Sequence, residues 1–162
     1  MFEIVMIVAA LLCTLTAGFA FAFASVVMPG IGKLKDKEFI RAFQEIDGII
    51  QGGQPVFGLV WIGSVFALVV AAILAVLQHE GTIPTVVSTS AIAYILGVQL
   101  ITFRINVPLN NALQTLTVDE MDELSLDSAR QSFEHGWVRW NLVRTVFASV
   151  VSVLLALVLL WL

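Results

Sequence analysis

The sequence is poor in the residues that build metal and redox centres. It has one cysteine, Cys13, and two histidines, His79 and His135, far apart in the chain. A lone cysteine cannot close an intrachain disulfide, and neither histidine has partners at zinc-site or haem-site spacing. No HExxH or GxGxxG motif occurs. The residues therefore call for no metal and no cofactor. Cys13, inside an apolar run, is read as a small packing residue.

Charge is also scarce. Charged residues make up 12% of the chain and hydrophobic ones 59%, with a mean hydropathy of +0.99. Soluble domains carry about 25% charged residues and roughly 45–50% apolar ones. A soluble domain is thus excluded. The net charge of −4 gives no reason to expect nucleic acid as a partner. No internal repeat or low-complexity tract is present.

What is abundant is long apolar sequence. A spanning helix needs about 20 largely apolar residues. Four stretches qualify: about 4–28, 55–77, 84–103 and 142–162. The expected fold is all-α, an integral membrane four-helix bundle forming one domain over 1–162. The "AFA" before Ser25 mimics a signal-peptidase site. However, the flank has Glu3 and no basic residue, so the first span is read as retained.

All eight Lys and Arg fall between spans one and two (Lys33, Lys35, Lys37, Arg41) or from the end of three to the start of four (Arg104, Arg130, Arg139, Arg144). The positive-inside rule puts those connections in the cytoplasm and both termini outside. In the first connection Phe39, Phe43, Ile46 and Ile50 form one apolar stripe, an additional amphipathic helix. It could lie on the membrane surface or pack on the bundle base. The second connection opens with Thr117 and Glu120, a capping-box pair, and predicts a helical extension running into span four, loosened at Gly136. Thr14, Gly18 and Ala22 make a small-xxx-small ladder that permits close helix contact, and association of copies is left open.

Polar groups near hydrocarbon are costly unless paired, so they are informative. Gln99, Thr102, Asn106 and Asn110 are spaced 3, 4 and 4, on one helical face. Pro108 removes a donor and frees the carbonyl of Arg104, which asparagine side chains could satisfy. Trp137, Asn141 and Arg144 share one helical face of the stretch 134–144 that leads into span four, with Trp140 beside it. An interfacial anchor would account for Trp140 and Arg139, and poorly for Asn141. Topology brings both sets to the cytoplasmic mouth of the bundle. Amides, an arginine and indoles there suit a planar molecule with an anionic oxygen. His135 is the one histidine near this mouth and the candidate base. Its neighbours Glu134 and Gly136 favour a solvated surface residue.

"NVPLNNAL" followed by "WVRWNLVR" resembles the pattern N-x-P-x-N … W-x-x-x-N-x-x-R of a family of small four-span membrane proteins, the anthrone-oxygenase-like family. The matching positions are Asn106, Pro108, Asn110, Trp137, Asn141 and Arg144, and Pro29 after span one also fits. The resemblance implies oxidation of an anthrone-type phenol to a quinone by molecular oxygen, without metal or flavin. On that reading Arg144 stabilises the oxyanion, with Asn106, Asn110 and Asn141 as donors. Trp137 stacks on the rings, and Trp140, Gln99 and Pro108 shape the pocket. A base is needed and the sequence offers no convincing one, so His135 or water must serve. The expected partners are membrane lipid and a hydrophobic aromatic small molecule. Two other classes stay open: a non-catalytic holder of a lipid or quinone, and a structural or partner-binding membrane protein.

Overall fold

The computed structural model describes all residues, Met1–Leu162. The chain is all-helical. Helix α1 spans Phe2–Ile31, α2 Asp36–Gln51, α3 Pro55–Gln78, α4 Thr82–Gln114 and α5 Glu123–Trp161. All but α2 are long and apolar enough to cross a membrane, which makes this a multi-pass membrane protein. α1 packs along α3 and α5, and α4 packs on α3 and α5, so α1 and α4 stand diagonally opposite. The packing of α3 on α4 is concentrated over Thr82–Tyr94. Beyond that stretch the two helices diverge towards the basic end of the bundle, the end that carries the Lys and Arg residues.

The half of the bundle away from that end is closed by small residues. Ala9, Cys13 and Ala17 of α1 meet Ala71 and Ala75 of α3 and Ala148 of α5. Lipid tails are as apolar as these side chains, so close backbone approach and dispersion hold the helices together. Ser64 and Tyr94, both fully buried, share a hydrogen bond of 2.8 Å between α3 and α4. Gly97 lets α5 come near: a Cβ there would lie 2.3 Å from the ring of Phe147. The Thr14–Gly18–Ala22 ladder does not join this packing. All three residues are exposed, because the inward row of α1 runs through Ala9, Cys13 and Ala17, about 100° around the helix.

Both α1 and α4 change register near the basic end. A π-helical turn covers Phe23–Val27, where Met28 N–H donates to Phe23 O. Another covers Thr102–Asn106, where Val107 N–H donates to Thr102 O. Each opens six residues before a proline, Pro29 or Pro108. Proline leaves the carbonyl four residues back without its donor, and the wider turn redistributes the bonds around that gap. As a result α4 does not end near Phe103 as the hydropathy suggests. It continues to Gln114.

α2 packs on the bundle base. Phe39, Ile40 and Phe43 are buried, with Phe43 and Phe39 edge-on to Phe133 of α5 at 4.5 and 6.2 Å. Each buried aromatic contributes about 1.5–3 kcal/mol relative to exposure in water. Arg130 ties the entry to α2 in place. It donates to Gly32 O at 2.7 Å and Leu34 O at 2.8 Å and pairs with Asp36 and Glu134. The start of α5 differs from the sequence expectation. Asp122, not Thr117, is the N-cap, accepting from Ser125 N–H at 2.8 Å. The helix then runs through Gly136 without a break.

Candidate functional site

A cavity of about 460 Å³ lies between α1, α2, α3, α4 and α5 at the basic end. Seven aromatic side chains line it: Phe19, Phe23, Phe43, Phe57, Trp61, Phe103 and Trp137. Phe57 and Trp61 stack at 5.5 Å on successive turns of α3, and Phe23 and Phe43 each stand 5.5 Å from Trp137. Gln54 caps α3 by accepting from Phe57 N–H, which fixes the corner where α3 meets the cavity. Exposed Leu59, Ile62 and Phe103 flank the cavity where α3 and α4 diverge, so it opens sideways. The size suits a fused-ring molecule, within the roughly 300–1,000 Å³ usual for ligand pockets.

Two polar groups of opposite charge sit in this apolar enclosure. The first is Arg144, 7% exposed. Its Nη1 donates to Thr102 Oγ1 at 2.8 Å and its Nη2 to Asn141 Oδ1 at 2.7 Å. Asn141 is held in turn by donating to Ala20 O of α1 at 3.0 Å, and Thr102 donates to Val98 O at 2.6 Å. No carboxylate pairs with Arg144, and no protein group accepts from its Nε. A buried cation held only by neutral oxygens is costly, and an anion beside it recovers that cost. The guanidinium carbon lies 5.8 Å from the Trp137 ring, a cation–π contact.

The second is Asp47 of α2, 3% exposed. Its Oδ1 accepts from Asn110 Nδ2 at 2.7 Å. Its Oδ2 accepts from Gln51 Nε2 at 2.6 Å and Gln114 Nε2 at 3.3 Å. Asn110 also accepts from Trp137 Nε1 at 2.7 Å. A continuous chain Asp47–Asn110–Trp137 thus joins three helices. Asn106 donates to Trp137 O at 3.3 Å, and its Oδ1 has no protein donor. Neither Asn106 nor Asn110 bonds the backbone of its own helix, so the amides do not serve the Pro108 kink. They reach across to α2 and α5.

The sequence-derived candidates divide clearly. Arg144, Asn106, Asn110 and Trp137 line the cavity. Asn141 stands behind Arg144, buried. Gln99 is buried one turn before Thr102 and does not line the cavity. Pro108 is exposed. Trp140 is half-buried outside the cavity, with Arg139 5.9 Å from its ring. His135 is exposed beside Gln131, Glu134 and Val138, also outside the cavity. Sequence reasoning brings Gln54, Pro55 and Phe57 at the start of α3 to this level, and it missed Asp47 and the other aromatics of the wall, Phe19, Phe23, Phe43, Trp61 and Phe103. The signal for Asp47 was present: it lies four residues after Phe43 and three before Ile50, within the apolar stripe of α2.

Fold and site thus define a helical multi-pass membrane protein with a buried, aromatic-walled pocket. The family profile described as anthrone oxygenase matches residues 48–154. That is more than half of the chain, and the chain belongs to this family, which suggests an oxygenase-like role. No curated protein and no solved structure matches the chain. Asp47 stands immediately before the matched stretch.

Proposed function

We propose that this protein is a cofactor-independent oxygenase that acts on a phenolic, anthrone-type aromatic within the membrane. The observation that carries the reading is Arg144, buried without an acidic partner on the wall of an aromatic cavity. An anthrone carries an acidic methylene across its central ring from the carbonyl. Loss of a proton there moves charge onto the oxygen. On this reading Arg144 holds that oxyanion, and its hydrogen bonds to Asn141 and Thr102 support the role by steadying it before substrate arrives. Asn106 and Trp137 contribute an amide and a ring face. The electron-rich enolate then reacts with dioxygen. The ring methylene and one dioxygen become a carbonyl and one water.

The positive-inside rule supports a cytoplasmic position for this cavity, with both termini outside. The sideways opening beside Leu59, Ile62 and Phe103 supports entry of an apolar substrate from the lipid. The same opening favours a second reading, a non-catalytic holder of a lipid or quinone. Oxygen uptake by purified protein with an anthrone-type phenol decides between them. The oxygenase reading expects uptake that falls in Arg144→Ala. Equal rates in the two proteins would sink it. Tight binding without uptake by the wild type would support the holder.

A further inference from the structure

The cavity carries an acid as well as a cation, and the reaction needs a base. We propose that Asp47 is the general base that takes the methylene proton from the substrate bound at Arg144. The inference rests on the oxygenase reading and adds to it a residue and a substrate geometry.

Asp47 lines the cavity and is almost wholly buried. A carboxylate has two oxygens and about four lone-pair positions. Protein donors use two positions on Oδ2 and one on Oδ1, which leaves Oδ1 able to accept from a ligand. The three donors come from α2 and α4, so the carboxylate is held in one orientation. Structural need alone does not explain it. An acid in the apolar stripe of an amphipathic helix is unfavourable, and the cation that lines the same cavity forms no ion pair with it. Separated opposite charges on one wall-to-wall space suit a substrate that becomes anionic at one end as it loses a proton at the other.

An acid and a cation on the wall of one cavity fit a fused-ring phenol or ketone whose acidic carbon lies across the ring from its oxygen. With the oxygen at Arg144, Asp47 Oδ1 takes a proton from that carbon. The C–H electron pair enters the ring system, and the negative charge settles on the oxygen. The enolate passes one electron to dioxygen, and the radical pair joins as a C–O bond. The resulting peroxide takes the proton back from Asp47. Asp47 then removes the second proton from the same carbon, the C=O bond forms, and the O–O bond breaks. The departing hydroxide takes that proton and leaves as water. Asn110 is a positioning residue, bonded to Oδ1 and held by Trp137 Nε1.

Proton removal can be measured without oxidation. Under anaerobic conditions in D2O, the purified protein should speed deuterium exchange at the acidic carbon of an anthrone, followed by NMR. Asp47→Asn should slow this exchange about a hundredfold or more, and oxygen uptake with it, while quenching of tryptophan fluorescence shows that the anthrone still binds. Should that variant not fold, Asp47→Glu carries the test, with exchange slowed and binding kept. Exchange at the wild-type rate in the variant, or loss in His135→Gln instead, overturns the assignment and leaves the oxygenase reading standing. A wild type that neither takes up oxygen nor exchanges the proton overturns both.

Discussion

Trp137 Nε1 donates to Asn110 Oδ1 at 2.7 Å, and the same asparagine donates to Asp47 at 2.7 Å. One amide therefore orients an indole on α5 and a carboxylate on α2. Both partners lose their place if it goes. Asn110→Ala should destabilise the protein by about 1–3 kcal/mol, since it leaves buried polar atoms unpaired. Trp137→Phe, which keeps an aromatic ring but removes the N–H and some buried volume, should cost at least as much. The two effects should not add, because the shared bond can be lost once. Unfolding in detergent of the two single variants and the double variant checks this. Additive losses would mean that the bond carries no energy.

Arg144 separates stability from function. Replacing Arg144 by an apolar side chain of similar reach removes the cost of burying an unpaired charge, which offsets the donor that Asn141 Oδ1 then loses. Arg144→Met should therefore melt no lower than the wild type while losing its oxyanion partner. Removing such a partner costs about 10²–10³ in turnover. Parallel melting curves and oxygen-uptake rates test the pair of outcomes. A steep fall in melting temperature would mean that Arg144 serves the fold.

The loop before α5 is clamped to α2 at the exposed surface. Asp119 meets Lys37 at 2.9 Å and Arg41 at 2.6 Å. Hydrogen bonds from Lys37 first, then Arg41, hold its carboxyl below the usual value of 3.8. A depressed folded-state pKa means that the unfolded chain takes up the proton first as pH falls. The contribution is thus fully present above about pH 4 to 5 and is lost as pH drops through the lowered value. The melting difference between wild type and Asp119→Asn should be small at neutral pH, fade in acid, and shrink in high salt. A difference that grows in acid would contradict this assignment.

Much of the fold is legible in the sequence because hydrocarbon imposes a length and a composition on every spanning helix. The four apolar runs correspond to α1, α3, α4 and α5, and the Phe39–Ile50 stripe corresponds to α2. Residues that bend the rules are harder to read. The π-helical turns before Pro29 and Pro108 rotate the next helical turns about the axis, and α4 continues to Gln114. A fixed helical period cannot register such a change. The N-cap at Asp122 follows Thr117 and Asp119, either of which could cap by type. For the site, phase and topology together bring Asn106, Asn110, Trp137 and Arg144 to one end of the bundle. Neither can place α2 against them. Asp47 is therefore visible as an odd acid in an apolar stripe, and its partners on α4 are not. His135 is the reverse case. Its chemistry suits a base, but it sits two residues before Trp137 on α5, exposed and outside the cavity.

The central claim is that Arg144 and its cavity direct dioxygen onto a bound aromatic anion. The direct measurement is product analysis with ¹⁸O-labelled dioxygen and an anthrone-type phenol, comparing purified wild type with Arg144→Ala. The account predicts one labelled oxygen in the new carbonyl at a rate about 10²–10³ greater in the wild type. Unlabelled product, or labelled product formed equally fast by the two proteins, would contradict it.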